Sequence, residues 1–157
     1  MEKKRYKILI TGVAGFLGSH LSEKLIELGH TVVGIDNMVG GYKDNIPNNV
    51  EFHNVDCCDL SKIKQLMKNI DIVYHCAATA HEGLSVFSPH EITKNNYLAS
   101  VSIFSAAINE KVKRIIFCSS MARYGDQQTP FTEEMKPKPV DPYGVSKVAS
   151  EQVLKIL

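Results

Sequence analysis

The chain has 157 residues, 18 Lys and Arg against 17 Asp and Glu, and 44% apolar residues. That length suits one domain with a sizeable core, and a net charge of +1 gives no electrostatic basis for a nucleic-acid partner. No window approaches a membrane-spanning length, so a cytoplasmic globular protein with neither a membrane nor a nucleic-acid partner is expected. The opening M-E-K-K-R-Y-K-I-L-I sets basic residues before an apolar stretch. That stretch is too short for a secretory leader and runs straight into Thr11-Gly12, so it reads as a first strand.

In chain order, the apolar and β-branched residues at 6–10 predict a strand. Gly12, Gly15 and Gly18 follow at turn spacing, and apolar residues then recur at helical intervals over about 15–28. A strand, a tight turn and a helix in that order form a dinucleotide-binding unit. Gly12 permits the turn, Gly15 admits a pyrophosphate to the backbone, and Gly18 lets helix and strand approach. The spacing is G-x-x-G-x-x-G and not G-x-G-x-x-G. A second strand at 31–35 ends in Asp36, about twenty residues past the glycines, where a carboxylate accepts the hydroxyls of an adenosine ribose. Its charge repels a 2′-phosphate and no Arg follows closely, which favours NAD over NADP.

Further strands are predicted near 50–55, 70–75 and 114–118, and further helices near 60–68, 90–110 and 143–157. Right-handed crossovers then imply an α/β, Rossmann-type doubly wound parallel sheet of order 3-2-1-4-5. The Pro-rich stretch 129–142 reads as a surface loop before the last helix. Cys57, Cys58, Cys76 and Cys118 show no C-x-x-C spacing and no His at zinc-site intervals, so they read as small apolar fillers and no metal is expected. His75, ending an apolar strand, reads as packed or cofactor-lining.

The ordered motifs T-G-V-A-G-F-L-G at 11–18, Asp36-Asn37, V-D-C-C-D-L around Asp56, H-C-A-A at 75–78, N-N-Y-L-A-S at 95–100, C-S-S-M-A-R-Y-G at 118–125 and P-Y-G-V-S-K at 142–147 together resemble the extended short-chain dehydrogenases/reductases. The resemblance is to the NAD-dependent nucleotide-sugar epimerases and dehydratases, and it runs from about Lys7 to the end of the chain. It implies that Phe16 and Leu17 back the pyrophosphate turn, that Asp56 and Cys57 flank the adenine, and that Cys76, Ala77 and Ala78 line the cofactor. Asn95 or Asn96 is implied to fix the helix that carries it. Ala99 stands where the family usually has Gly, and Ala80 where some epimerases have a lysine that reaches the cofactor.

The expected chemistry centres on Ser120, Tyr143 and Lys147. A phenol is a poor base near neutrality unless a cation favours its anion. Helical residues four apart share a face, so Lys147 can serve Tyr143 in that way. Ser120 would orient the reacting hydroxyl while Tyr143 takes its proton and a hydride passes to nicotinamide. The resemblance places Ser120, Met121, Ala122 and Tyr143 against substrate, and Tyr143 and Lys147 against the cofactor as well. Related 4,6-dehydratases carry Thr-Asp-Glu where this chain has Ser120-Met121-Ala122. Met121 and Ala122 cannot exchange protons, so elimination lacks its acid and base. The expectation is therefore a nucleotide-sugar 4-epimerase acting on a UDP-sugar. The alternatives are a sugar dehydrogenase, reductase or dehydratase of the same family, and a non-catalytic NAD-binding protein. His81-Glu82 is a weaker candidate for substrate contact. The whole of 1–157 is expected to be an NAD-binding Rossmann domain that stops before the last strands and a C-terminal substrate lobe. The longer form is expected to be a homodimer paired through helices 90–110 and 143–157.

Overall fold

Continuous apolar runs, unlike alternating ones, suit strands covered on both faces, and the central strands of this chain are built that way. The computed structural model describes residues 4–157. Its five strands are β1 (Lys7–Thr11), β2 (Thr31–Asp36), β3 (Glu51–Asn54), β4 (Ile72–His75) and β5 (Arg114–Phe117). All neighbours pair in parallel in the order β3-β2-β1-β4-β5, as the sequence predicts. Four helices flank them: α1 (Phe16–Glu27), α2 (Leu60–Leu66), the mixed-pitch helix described next, and α5 (Pro142–Ile156).

The predicted helix at 90–110 runs unbroken over 89–109 but changes pitch within it. A single turn, α3 (Pro89–Ile92), leads into a π-helical segment, Thr93–Leu98, and only then into α4 (Ala99–Asn109). Helical periodicity in the sequence assumes 3.6 residues per turn and does not register a wider turn inside an otherwise helical run.

Strand alternation assigns the two cores. On one face Ile8, Ile10 and Val32 pack with Leu25 of α1. On the other, Leu9, Val33, Ile35 and Val73 pack with Ile63 and Met67 beside α2 and with Ile103, Phe104 and Ala107 of α4. Val153 and Leu154 of α5 close over that second face. Asp59 caps α2, its side chain accepting from Lys62 N, and Asp141 caps α5, accepting from Gly144 N. Such caps satisfy backbone donors that a helix start otherwise leaves free.

Parallel order reverses between β1 and β4, since β2 and β3 run out to one side and β4 and β5 to the other. In open α/β sheets a cleft forms at that point, beyond the carboxyl ends of the strands. The motifs at 11–18, 36–37, 75–78 and 118–120 all lie at those ends.

Candidate functional site

The glycine turn follows from what side chains cannot do there. Gly12 sits at φ +71°, and a Cβ on it would meet the Ala77 Cα at 2.9 Å. Its N–H donates to Ile35 O at 2.8 Å, tying the loop to the end of β2. A Cβ on Gly18 would run into the Gly12 carbonyl and stand 2.9 Å from Val13 Cα, so α1 rides directly on its own entry turn. Unlike α2 and α5, α1 has no side-chain cap. Its free N–H groups and the positive end of its dipole therefore face the cleft, an arrangement that accepts phosphate.

Two sequence expectations change here, and Asp36 takes on a further role. Phe16 and Leu17 do not back the turn with their side chains: Phe16 is 82% exposed, its ring set edge-on to His20, and their share in the loop is the first-turn backbone. Cys57 does not present its thiol to a ligand. The thiol is buried in the core, which pushes it up to about 12, with Asp56 adding to the effect. Asp36 serves the chain itself as well as facing the cleft, since one carboxylate oxygen accepts from Ala14 N at 3.0 Å and the other from Met38 N at 2.8 Å. Each oxygen keeps acceptor capacity beyond that one bond. Asn37 is exposed beside it, accepting from Val39 N. Asp56 accepts from Cys58 N at 2.8 Å.

Behind β4 lies a hydrogen-bond chain that fixes the cleft floor. Ala77 N donates to Thr11 Oγ1 at 3.0 Å, Thr11 Oγ1 meets His75 Nδ1 at 2.7 Å, His75 Nε2 meets Ser100 Oγ at 2.9 Å, and Ser100 Oγ donates to Asn96 O. Ser100 has one proton and gives it to Asn96, so His75 Nε2 must carry hydrogen and Nδ1 must accept from Thr11. One tautomer satisfies all four bonds. Burial, with the Lys147 charge second, pushes His75 down to about 3, so the ring is neutral and belongs to the packed alternative. Its depressed value implies that folding stability falls as pH drops from about 6.5 toward 3, because the unfolded chain binds the proton first. The slope from this group approaches about 1.4 kcal/mol per pH unit. Urea titrations of wild type and His75→Gln at several pH values in that window should differ by this slope, and parallel curves would remove His75 as its source.

The π-helical turn resolves the choice between two asparagines. Asn96 is 2% exposed; its amide accepts from Thr79 N at 2.7 Å and donates to Thr79 O at 3.3 Å. Asn95 donates to Thr79 Oγ1 at 3.2 Å. The wider turn lets two successive side chains reach one residue, and Asn96 is the buried anchor, with Asn95 in support. Ala78 lies half-buried beside Thr79.

The predicted catalytic residues lie on two elements that pack against each other, the turn after β5 and α5. Ser120 N-caps a 3₁₀ turn, Met121–Tyr124, its Oγ accepting from Ala122 N at 3.1 Å, which leaves the hydroxyl proton free to donate. Tyr143, buried, packs with Ala122 and Ile92. Lys147, also buried, donates to Cys118 O at 2.9 Å and lies 5.7 Å from the Tyr143 ring centre. Contacts at 118 and 122 therefore bracket Ser120 against one face of α5. Burial lowers the Lys147 ammonium to about 8, opposed by the nearby Cys118 and Cys76 sulfurs. Ala122 is buried under the tyrosine and Met121 is exposed, so of this pair only Met121 offers a side chain outward. His81 and Glu82 are exposed at a turn.

Glu151 escaped the sequence reading. It sits one turn beyond Lys147, accepts from Ser119 Oγ and pairs with Arg123 Nε at 3.0 Å, fastening α5 to the segment that carries Ser120. Its spacing of four from Lys147 is the signal that marks it. Among the described residues, no group of three or more His, Cys, Asp or Glu is placed to hold a metal, and no helix is long and apolar enough to cross a membrane.

The comparisons with known proteins agree on one family. The profile of the NAD dependent epimerase/dehydratase family matches residues 8–157. A UDP-glucose 4-epimerase of Streptomyces lividans is 32% identical over 94% of the chain and 46% of that protein; one from Yersinia enterocolitica is 36% identical over 94% and 47%. A Thermotoga maritima UDP-glucose 4-epimerase solved with UDP-glucose superposes with a TM-score of 0.92 at 34% identity, covering 96% of this chain and 50% of that one. A Thermus thermophilus UDP-glucose 4-epimerase complex with NAD gives 0.91 at 32%, over 96% and 50%. The chain thus spans about half the length of the relatives it matches. With its glycine turn, switch-point cleft and Tyr143–Lys147 helix all in place, the chain belongs to the NAD-dependent epimerase/dehydratase family.

Proposed function

We propose that the protein carrying this chain is a nucleotide-sugar 4-epimerase that uses NAD and acts on a UDP-hexose. The bracketing of Ser120 by the Lys147–Cys118 and Tyr143–Ala122 contacts is the observation that carries the proposal. The residues present fit the cofactor. Gly12 and Gly18 seat the turn and α1 where a Cβ would strike the backbone, a Cβ on Gly15 would meet only the Gly12 carbonyl oxygen, the uncapped α1 suits a pyrophosphate, and Asp36 suits a ribose. Asn37, Asp56, the Cys57 backbone, Cys76, Ala77, Ala78 and Asn95 complete the set assigned to it.

NAD, when bound, supplies reversible hydride acceptance from a carbinol carbon. Everything else falls to the chain. The Ser120 hydroxyl, with one lone pair taken by Ala122 N, donates to the sugar oxygen and orients it. Tyr143 removes the proton from that oxygen and returns it after the sugar has turned over. Lys147 supplies positive charge beside the phenol, held in place by the Cys118 carbonyl. Ala122 and Met121 provide no proton donor or acceptor, which is why oxidation and reduction at one carbon fit better than elimination of water. A homodimer and a cytoplasmic location belong to the same proposal, the dimer through the π-helical segment, α4 and α5, where Leu98, Ile108 and Val145 are exposed.

The test is incubation of the full-length protein with UDP-glucose, UDP-galactose and their N-acetyl forms, following the configuration at C4 and the release of NADH. Inversion without free NADH is expected. Stoichiometric NADH with a keto sugar as product would replace the proposal with a net dehydrogenase.

A further inference from the structure

Two of the four cysteines meet across the sheet. His75 pairs with Phe117 in the β4–β5 register, and Cys118 N continues the ladder onto His75 O at 3.1 Å. Cys76 and Cys118 are therefore neighbours just past the two strand ends, their sulfurs 3.7 Å apart. Both are free and half-exposed on the cleft floor. Adjacent strands lie about 4.8 Å apart, within the roughly 4.4–6.8 Å Cα separation that a disulfide spans. We infer that Cys76 and Cys118 form a peroxide-reactive dithiol, a modification site that closes to a cross-strand disulfide beneath Tyr143 and Lys147.

The surroundings favour Cys118 as the attacking sulfur. Its hydrogen bond with Cys76 and the Lys147 ammonium hold it down at about 6, against burial, while Cys76 is raised by the same shared bond. Cys57 and Cys58 are pushed up to about 12 and about 11, chiefly by burial with Asp56 adding, and are poor nucleophiles by comparison. The Cys118 thiolate attacks a hydroperoxide oxygen; the O–O bond breaks, the alcohol or water leaves with a proton, and a sulfenic acid remains. The Cys76 sulfur then attacks that sulfur: the S–S bond forms, the S–O bond breaks, and water departs with the Cys76 proton. Two thiols lose two electrons and the peroxide gains them. Because the Cys118 carbonyl anchors Lys147, drawing the strand ends together shifts that anchor, so the site reads the redox state.

The reduced chain, treated with hydrogen peroxide at low protein concentration, alkylated and digested with trypsin, separates Cys76 in peptide 69–94 from Cys118 in peptide 115–123. A disulfide-linked pair of these peptides should form on the order of tenfold faster than Cys57 or Cys58 is lost to alkylation. The preference should vanish in urea, and Cys76→Ser should leave Cys118 trappable as a sulfenic acid by dimedone. If both sulfurs stay alkylatable while Cys57 or Cys58 oxidises, or if linkage occurs only between chains, the inference is overturned. Because the wild-type linkage and its urea control are read directly, a variant that fails to fold does not block the decision.

Discussion

Tyr143→Phe is expected to lower the epimerisation rate of the full-length protein by about 10³-fold, within the 10²–10⁴ range of general acid–base catalysis, and to leave NAD affinity nearly unchanged. The separation of these effects comes from the packing. The Tyr143 ring is held by Ile92 and Ala122, and Phe keeps that ring, so only the oxygen that exchanges the proton is lost. Unfolding midpoints in urea should therefore match wild type, and NAD titration should give a similar Kd. Turnover is followed by C4 configuration. A variant that keeps more than about a tenth of wild-type turnover, where a lost general base removes at least about 10²-fold, shows that the base has been misassigned. A variant that loses NAD binding together with turnover shows that the phenol has a role in holding the cofactor beyond proton transfer.

The second large effect is on folding. Gly18→Ala should destabilise the chain by about 3 kcal/mol, the upper end of the usual overpacking cost, because the new methyl group meets the Gly12 carbonyl and the Val13 Cα, both backbone. Side chains can rotate away from a methyl group; a strand-to-helix turn cannot, and α1 must lift from β1. NAD binding should fall with it, since the same displacement moves the first-turn N–H groups. Gly40→Ala is the control. Nothing lies within 4 Å of its Cβ position, and a surface change of that kind stays within about 0.5 kcal/mol. Equal urea midpoints for the two variants would mean that the turn relaxes freely and that close helix–strand approach is not what Gly18 supplies.

Particular residues show where sequence reasoning reached and where it stopped. Gly12, Gly15, Gly18 and Asp36 stood out because a tight turn and a strand end are written in a few adjacent residues. Tyr143 and Lys147 stood out because a spacing of four on a helix is a shared face. Asn96 did not separate from Asn95, since the choice depends on a π turn that lets both reach Thr79, and helical periodicity assumes an ordinary turn. The apolar character of Phe16 and Leu17 suggested packing, yet the helix start turns both outward. Cys57 stood in a motif associated with a ligand, but the loop after β3 places its thiol in the core.

Local backbone preference, carried by glycine placement and apolar runs, was enough to order the strands and helices and to single out one helix and one turn as candidates for the chemistry. Parallel pairing decided the rest. Only the register of β4 against β5 sets Cys76 beside Cys118, forty-two positions apart. Only the covering of both sheet faces buries His75 between Thr11 and Ser100 and lowers the Lys147 ammonium. Such contacts depend on where distant segments come to lie, and short-range spacing along the chain carries no record of that.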